Sequence, residues 1–484
     1  MKPKSKHPDW VLAQRQPKTE IRFLNGTYYL YEATSKWNPQ KKRSQKISGK
    51  LLGKITPEGF IESDKYKLRK MNEKALKNPP VVKEYGASAF LQVYFSDYIE
   101  LMKLHFKDLW REVLSLSIIR LLYHSPIKNT GFYFEKSYLS ELYQDITLGE
   151  KRTGALYRKF GTMREEILSY MRCFVTKGDH VLIDATNIIS FSERIGLAKM
   201  GYNSKKEYDP QINLMLMFST KMQLPVYYRV IPGSIREVSA FKLTLDECGT
   251  KNVTIIADKG FYSKENIETL DGFGAQYIIP LRRNSDMNDY SMIEQNTMEE
   301  YFLFQKRYIW YTNYSFEGRY IHLFFDPELK LREETDYLNR IQSHPQEYTF
   351  KEFMDKRVRF GTIALYTNKK NITSQKIYED YKVRNQVETM IDAMKNTLMA
   401  ETSYMQNEDA FNGWMLVNFI ALQFYYKVYS LLKEKDLISK LSPDDLFMLL
   451  KEVRKVKINQ NWVTAEISSK TQKLLEKLQI NPIT

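Results

Sequence analysis

The sequence is poor in the residues that build disulfide frameworks and soft-metal sites. Among 484 residues only Cys173 and Cys248 are cysteines, and the six histidines are scattered without paired spacing. Two cysteines exclude a disulfide scaffold and argue against a cysteine-ligated zinc site. We therefore expect neither a zinc centre nor catalysis by a cysteine or histidine nucleophile.

The sequence also lacks the apolar segments that direct a chain into a membrane. The opening residues, MKPKSKHPDW, contain no apolar core of a signal peptide. The longest apolar run, 414-WMLVNFIALQFYY-426, is interrupted by Asn418 and Gln423 and is too short for a membrane span. We interpret this run as a buried helix and expect an intracellular protein without a membrane partner.

Negative charge is scarce relative to positive charge. The chain has 73 Lys and Arg against 58 Asp and Glu, a formal charge of +15. A large soluble protein with this excess usually meets a polyanion such as nucleic acid, an anionic membrane or an acidic protein. With 43% hydrophobic and 14% aromatic residues, the chain can bury ample core. Its length predicts two to four domains.

The N-terminal region is basic and predicts β-structure. The run 21-IRFLNGTYYLYEAT-34 alternates in polarity and contains the Asn-Gly turn of a hairpin. It leads into 41-KKRSQKISGKLLGKI-55, which opens with Lys41, Lys42 and Arg43. These cations fit an exposed hairpin loop and an arm that contacts DNA phosphates equally well.

Two apolar segments of strand length each carry an aspartate where the apolar run stops. The first, 180-HVLIDAT-186, carries Asp184, and the second, 253-VTIIADKGFY-262, carries Asp258. Alone, an aspartate at a strand end is most often a turn or cap residue. If the two strands are neighbours in one sheet, however, the aspartates lie one strand spacing apart, roughly 5 Å.

The segment 381-YKVRNQVETMIDAMK-395 predicts an amphipathic helix. At about 100° per residue, its polar positions Tyr381, Arg384, Glu388 and Lys395 fall on one side, and valine, isoleucine and methionine take the neighbouring arc. Such a face is either a solvated surface with ion pairs, or a surface that presents a carboxylate surrounded by cations to a polyanion.

Three carboxylates that meet in one pocket require a cation between them. Without one, Asp184, Asp258 and Glu388 would repel one another strongly. Oxygen-only ligands select Mg²⁺ or Mn²⁺ rather than zinc. Such a cluster can hold two ions about 4 Å apart, one activating the attacking oxygen and one stabilising the leaving oxygen of a phosphodiester. Arg384 could then bind a phosphate through two hydrogen bonds, and Lys395 could act as a point charge.

Taken in order, these motifs resemble those of the DDE transposases of bacterial insertion sequences, in the insertion-sequence-4 superfamily. The Tyr-x2-Arg-x3-Glu-x6-Lys signature of that superfamily matches without a gap at Tyr381, Arg384, Glu388 and Lys395. Its other motifs match as Asp-x-Thr-Asn at 184–187 and Ala-Asp-x-Gly-Phe-Tyr at 257–262. The resemblance covers residues 176–430, and the preceding part is similar in outline to the family's leader, a β-hairpin followed by helices.

The resemblance implies an α/β fold with a ribonuclease-H-like mixed-sheet core and a β-rich insertion. An N-terminal β-hairpin and helical DNA-binding region would precede this core, and a helical C-terminal tail would follow it. The predicted domains are a basic β-rich region at 1–75, a helical DNA-binding domain at 76–175, the first part of the catalytic core at 176–283, the β-rich insertion at 284–362, the second part of the core at 363–430 and a helical C-terminal region at 431–484.

The resemblance also implies residue roles. The catalytic residues, which would bind two Mg²⁺ or Mn²⁺ ions per active site, would be Asp184, Asp258 and Glu388. The residues that hold the terminal phosphates of the transposon end would be Tyr381, Arg384 and Lys395. In some relatives an aromatic residue of the insertion stacks on a flipped base. Trp310 is the candidate here, and packing within the insertion is the alternative.

The implied function is that of a transposase. It would bind the terminal inverted repeats of its insertion sequence, cut the DNA at the ends and join the freed 3′-OH to target DNA by a cut-and-paste route. Because two ends must be joined, we expect a homodimer on double-stranded DNA, in the bacterial cytoplasm. Two other functions remain open: a DNA nuclease with the same core but no strand transfer, and a catalytically idle DNA-binding regulator. The complete set of three carboxylates argues against the idle regulator.

Overall fold

The computed structural model describes residues 6–77, 80–202, 207–234, 240–248, 252–458 and 460–479. The chain divides into two compact units. One consists of Met1–Val82 and Val456–Val463, and the other consists of Lys83–Lys455 and Thr464–Thr484.

In the described residues, the N-terminal unit holds a four-stranded antiparallel sheet in which each strand pairs with the next along the chain. Its elements are α1 (Asp9–Leu12), β1 (Thr19–Leu24), β2 (Thr27–Asn38), β3 (Arg43–Thr56), β4 (Gly59–Glu62) and α2 (Asp64–Lys77). The predicted hairpin is confirmed. Its turn residues Asn25 and Gly26 both have positive φ, as a two-residue hairpin turn of this type requires. A small core of Val11, Leu30 and Ile55 holds the base of the sheet.

The second unit begins with a helical layer, in the region where the resemblance implied a helical domain. Its elements are β5 (Val81–Glu84), α3 (Gly86–Tyr94), α4 (Ser96–Phe106), α5 (Trp110–Tyr123), α6 (Ile127–Lys136), α7 (Leu139–Leu142), α8 (Glu150–Gly161) and α9 (Arg164–Arg172).

A large mixed sheet follows the helical layer. Its strands and the helices between them are β6 (His180–Ile189), β7 (Lys199–Tyr202), β8 (Tyr208–Ser219), β9 (Leu224–Pro232), α10 (Phe241–Cys248), β10 (Thr254–Ala257), α11 (Lys264–Gly272), β11 (Gln276–Pro280), α12 (Ser291–Glu294), β12 (Glu300–Phe304), β13 (Arg307–Phe316), β14 (Arg319–Phe325), α13 (Pro327–Ser343), α14 (Phe350–Lys356) and β15 (Thr362–Thr367). The strands lie in the order β12-β13-β14-β15-β11-β10-β6-β8-β7, and β9 also pairs with β8. β6, β10 and β11 run parallel, whereas the remaining neighbours are antiparallel.

The stretch predicted as a β-rich insertion, 284–362, contains strands in its first half. Its strands β12, β13 and β14 extend the central sheet, because β14 pairs with β15 and β15 pairs with β11. Its second half is helical and contains α13 and α14. Strand alternation is a local signal, and it does not reveal which edge a hairpin will join.

The chain ends with α15 (Ser374–Lys382), α16 (Asn385–Asp392), a π-helical segment (Ala393–Thr397), α17 (Glu408–Glu434), α18 (Pro443–Lys451), β16 (Arg454–Ile458), β17 (Asn461–Thr464) and α19 (Ser469–Lys477). The C-terminal region was predicted to be helical throughout, but it contains the β16 and β17 hairpin. Alternating apolar and lysine residues in 454-RKVKI-458 favour a strand over a helix.

α17 contains the apolar run that was predicted to be a buried helix. Among the described residues, α17 is the one helix that is long enough and apolar enough to cross a membrane. We had expected the apolar run to be too short for this, but the helix extends beyond the run at both ends. Within its most apolar window, however, 78% of the residues are buried inside the protein. Its two polar interruptions are hydrogen-bonded within the core. Asn418 accepts from Nε of Arg120 at 2.9 Å, and Gln423 accepts from the hydroxyl of Tyr170 at 2.9 Å. α17 is therefore a core helix with satisfied polar groups.

Candidate active site

The two aspartates singled out in the sequence lie on neighbouring parallel strands. In the register of β6 and β10, Ile183 pairs with Ala257. Asp184 and Asp258 are the residues that follow this pair along the two chains, so the two main chains carry carboxylates at adjacent positions. β10 ends at Ala257, and Asp258 follows it as the residue before a single 3-10 turn, Lys259–Phe261. The two strands are thus neighbours, which is the condition under which the two aspartates were expected to lie close together.

Asp184 lies inside its strand rather than at the end of it, because β6 continues to Ile189. Its side chain is 17% exposed. Oδ1 accepts a hydrogen bond from the backbone N–H of Ala185 at 2.9 Å. Burial raises the pKa of Asp184; Arg384 opposes this shift, and the nearby charges of Asp258 and Glu388 add to it. These effects show that the three carboxylates share one electrostatic environment.

The segment 381–395 is not one helix, contrary to the prediction. α15 ends at Lys382, and α16 begins at Asn385. The turn between the two helices is held by backbone hydrogen bonds between residues three positions apart, for example from the N–H of Arg384 to the carbonyl of Tyr381 at 2.9 Å. The signature tyrosine and glutamate therefore lie on different helices. Helical periodicity within fifteen residues does not detect this break, because the tight turn keeps the chain nearly helical.

Glu388 is connected to Asp184 through Arg384. α16 packs against β6 and β8. The guanidinium of Arg384 donates from Nη2 to Oδ2 of Asp184 at 2.9 Å and from Nη1 to Oε1 of Glu388. Glu388 is 56% exposed at its side chain, whereas Arg384 is only 11% exposed. The arginine thus bridges a buried strand carboxylate and an exposed helix carboxylate.

The surroundings of Arg384 favour its charge. Burial lowers its pKa, but the attraction of Asp184 and Asp258 outweighs burial, and the pKa is raised. Within the described part of the chain, its buried Nε has no hydrogen-bond partner. The Nε–H is therefore a donor that is not used to hold the two carboxylates.

Tyr381 belongs to the same cluster. The pKa of its hydroxyl is raised to about 12, mainly by burial; the charges of Asp258 and Glu388 contribute to this rise, and Arg384 opposes it. Tyr381 and Asp258 line a cavity of about 1020 Å³. The hydroxyl is protonated at neutral pH and can donate a hydrogen bond.

Lys395 lies elsewhere. It belongs to the π-helical segment Ala393–Thr397 and lines a separate cavity of about 620 Å³ together with Arg120, His124 and Trp414. In an ideal helix, Glu388 and Lys395, seven residues apart, would lie on one side. A π-helical turn contains more residues per turn, so the two side chains no longer align.

The cavity beside Asp258 contains cations that the sequence reasoning did not assign. Its lining includes six basic residues, Lys259, Arg282, Arg283, Lys356, Arg359 and Lys382. Its apolar lining includes Leu281, Ile309 and Phe324. One available sequence signal was the Arg282-Arg283 pair, which follows the apolar strand β11 almost directly. The lining thus combines apolar side chains with six cations and three acidic residues, Asp258, Asp326 and Glu333.

The remaining predicted DNA contacts are Trp310 and three cations of the N-terminal unit. Trp310 on β13 is half-buried and contacts Tyr301, with 5.1 Å between ring centroids. Ile309, the residue before it, lines the cavity beside Asp258. Because neighbouring residues on a strand point to opposite faces, Trp310 faces away from that cavity. Lys41 and Lys42 lie in the loop between β2 and β3, and all three predicted cations of this region, including Arg43, are exposed.

The carboxylates supply the oxygen ligands that a hard divalent cation prefers. In the ranges that the structure describes, however, no three His, Cys, Asp or Glu side chains are arranged to hold a metal ion. The charge between Asp184 and Glu388 is instead balanced by Arg384. The donor chemistry fits Mg²⁺ or Mn²⁺, and the arrangement requires the guanidinium to move before a metal could be shared by all three carboxylates.

Comparisons with known proteins identify the family. A family model described as the transposase DDE domain matches residues 176–424, which is half of the chain. Among solved structures, the chain is similar to a piggyBac transposase synaptic complex with hairpin DNA. That similarity has 10% sequence identity and a TM-score of 0.40, and it covers 73% of this chain and 70% of that chain. No curated protein matches the sequence. The chain belongs to the family of proteins with a transposase DDE domain.

Proposed function

We propose that this protein is the transposase of an insertion sequence in the insertion-sequence-4 superfamily. It binds the terminal inverted repeats of its element, cleaves the DNA there in a metal-dependent reaction, and transfers the cut ends into target DNA by a cut-and-paste route. The family match to the DDE domain supports DNA transposition as the class of reaction.

We infer that the catalytic core is ribonuclease-H-like. Supporting this inference, the strands β9-β8-β6-β10-β11 follow one another in the sheet, with the first three antiparallel and the last three parallel. In a ribonuclease-H-like sheet, the first and fourth core strands in chain order are neighbours at the centre of the sheet. Here these two strands are β6 and β10. Asp184 in β6 and Asp258 directly after β10 follow the last paired residues of the two strands, Ile183 and Ala257.

One observation carries the proposal. Asp184 and Asp258 each follow the last residue pair of two neighbouring parallel strands, and Glu388 is joined to Asp184 by the shared guanidinium of Arg384. Residues so far apart in the chain meet in this way only when the fold assembles them. A divalent cation bound to these carboxylates would supply an activated oxygen nucleophile and stabilise the leaving oxygen.

The neighbouring residues bind and position DNA in this proposal. Arg384 exchanges a carboxylate for a phosphate of the transposon end, because a guanidinium binds either group with two hydrogen bonds. Tyr381 donates its hydroxyl hydrogen to a phosphate oxygen. Lys395 contacts DNA from its separate cavity as a point charge rather than from the carboxylate cluster.

The test uses the full-length protein with labelled duplexes that carry the inverted repeats flanking its gene, together with a supercoiled plasmid and Mg²⁺ or Mn²⁺. We expect nicks at the repeat ends and joining of the labelled 3′ ends to the plasmid. Asp184→Asn should bind the duplex like the wild type and lose cleavage by on the order of a thousandfold or more.

The other outcomes identify the alternatives. Cleavage without joining would indicate a nuclease that lacks strand transfer. Binding without cleavage in the wild type would indicate a DNA-binding regulator. Because two ends are joined, the active complex is proposed to be a homodimer on DNA. Light scattering of the DNA complex should give two protein chains, and a single chain would reject the homodimer.

A further inference from the structure

The outer part of the β2–β3 hairpin is a two-stranded ribbon that is open to solvent on both faces. We define the ribbon as residues 34–47, with strand segments 34–38 and 43–47 and a loop at 39–42. Every residue of the ribbon is exposed except Asn38, which is half-buried. Its ladder runs regularly from the Thr34–Ile47 pair to the Asn38–Arg43 pair. Because its residues are exposed, the ribbon does not contribute to a core, and a two-stranded hairpin is only marginally stable by itself in water. The length of the ribbon is therefore not explained by the stability of the fold.

The ribbon carries charge of a single sign. From Ala33 to Pro57 the chain contains no acidic residue, and its basic residues are Lys36, Lys41, Lys42, Arg43, Lys46, Lys50 and Lys54. A solvated surface that only kept the protein soluble would mix both signs. An acid-free, cation-rich ribbon is instead complementary to a polyanion.

The two faces of the ribbon differ in their contacts. On one face, Lys46 forms an ion pair with Glu20 of β1 at 2.7 Å, and Ser48, further along, donates to the same carboxylate. This face also carries Trp37, paired with Ser44. It is therefore anchored to β1 near its base.

The opposite face carries longer hydrogen-bonding side chains. Lys36 pairs with Gln45, and Asn38 pairs with Arg43, so all four lie on the same side. Asn38 accepts from the backbone N–H of Gln40 and Lys41, which holds the turn. Its amide also donates to Oε1 of Gln45 at 3.2 Å. Asn38 thus fixes the tip and orients Gln45, while Lys36, Arg43 and Gln45 form what we call the reading face.

We propose that the ribbon enters the DNA major groove with the reading face toward the base edges. The major groove admits a two-stranded ribbon, arginine recognises guanine there with two hydrogen bonds, and glutamine recognises adenine. Lys41 and Lys42, in the loop, contact phosphates and set the register. This inference rests on the proposed function in one respect, namely that DNA is the substrate, and it assigns recognition of the end sequence to the N-terminal unit.

DNA is favoured over RNA as the partner because the major groove of A-form RNA is too deep and narrow for a ribbon. An acidic protein would match the charge but offers no use for a face of Arg43 and Gln45 side chains held in register. The experiment below distinguishes DNA from these two other partners, RNA and an acidic protein.

The experiment selects bound sequences from a random-sequence duplex DNA library with the full-length protein. We expect the wild type to enrich a motif. Arg43→Ala and Gln45→Ala should each lose preference at one base position, with affinity for the enriched sequence falling about tenfold or more. Lys41→Ala with Lys42→Ala should keep the motif, bind all sequences more weakly, and reduce the slope of log affinity against log salt by about 2.

The matched control is Ser35→Ala with Ser44→Ala, exposed positions on the anchored face of the same ribbon. It should leave motif and affinity unchanged. Circular dichroism of each variant checks that the hairpin is retained. The variants alter exposed side chains only, so the selection reports contacts rather than folding.

Three results would overturn the inference. These are an unchanged motif and affinity in Arg43→Ala and Gln45→Ala, the absence of any enriched motif with the wild type, and tighter binding to duplex RNA or to a polyglutamate chain than to duplex DNA. None of these depends on cleavage. If Asp184→Asn loses cleavage while the ribbon variants bind normally, the inference fails and the proposed function stands. If the wild type enriches a ribbon-dependent motif but never cleaves DNA, the inference stands and the proposed function fails.

Discussion

Arg384 donates a hydrogen bond from Nη2 to Oδ2 of Asp184 at 2.9 Å, across 200 positions of sequence. The same guanidinium binds Glu388 on α16. It supplies the positive charge that closely spaced carboxylates require. A phosphate competes for this guanidinium in the same way as a carboxylate does. Binding of a DNA end would therefore release the two acidic side chains for a metal ion.

Replacing Arg384 by glutamine tests this exchange in the protein without DNA. The change removes the counter-ion of Asp184 and Glu388, so Mn²⁺ should bind about tenfold more tightly or better. Electron paramagnetic resonance of a Mn²⁺ titration measures this affinity directly. Cleavage of DNA by the variant should fall, because the phosphate contact is lost as well.

The control for that titration is Arg332→Gln, which removes an exposed arginine on α13 that pairs with Glu328 at 3.6 Å. Its Mn²⁺ affinity should equal that of the wild type. Equal or weaker Mn²⁺ binding in Arg384→Gln would show that the arginine does not compete with a cation.

Arg282 tests whether the cavity beside Asp258 carries DNA. The residue is exposed and lines that cavity. Arg282→Ala should weaken binding to all DNA sequences alike and reduce the magnitude of the salt slope by about 1, because one phosphate contact is lost. Fluorescence anisotropy over a range of salt concentrations measures both. Arg340→Ala, at an exposed arginine that pairs with Asp336 on α13, is the control and should retain the wild-type slope. A wild-type slope in Arg282→Ala would place the DNA outside this cavity.

His322 should make the protein less stable in mild acid. It is 4% exposed on β14, its Nδ1 lies 2.8 Å from the hydroxyl of Ser374, and burial lowers its pKa to about 4. The unfolded chain, with a pKa of about 6.5, binds the proton first. This contribution to stability is therefore complete above pH 6.5 and is lost as the pH falls from 6.5 toward 4, by about 2 kcal/mol at pH 5.

His322→Gln removes this titration. In urea unfolding at pH 7.5 and pH 5, the variant should lose about 2 kcal/mol less free energy of unfolding than the wild type. Equal losses in both proteins would show that His322 is already accessible to protons in the folded state.

Gly413 sets the close approach of α17 to α8. A Cβ at this position would lie 2.0 Å from the carbonyl oxygen of Tyr157, so backbone would have to move. Gly413→Ala should lower the free energy of unfolding by about 1–3 kcal/mol. The matched substitution is Gly154→Ala in α8, where the nearest atom, on the side chain of Arg158, is 4.0 Å away. It should raise stability by about 0.5–1 kcal/mol, because alanine favours the helix. Thermal unfolding compares the two, and a neutral Gly413→Ala would contradict the packing.

Local sequence patterns determined much of this protein before folding was considered. The apolar runs that carry Asp184 and Asp258 predicted strands, and the Asn25-Gly26 turn predicted its hairpin, because side-chain alternation and turn geometry depend on residues only a few positions apart. The scarcity of acidic residues around the ribbon and the motif spacing that resembles the transposases are likewise properties of the sequence alone.

Tertiary structure decided how these elements meet. The strands β12, β13 and β14 became part of the central sheet. The segment 381–395 was divided between two helices, and Lys395 came to line another cavity. Tertiary structure also inserted Arg384 between Asp184 and Glu388. Such outcomes depend on strand order and on helix packing against β6 and β8, which are long-range interactions without a local period. For that reason the sequence indicated which residues carry the chemistry, and the fold alone determined which of them touch.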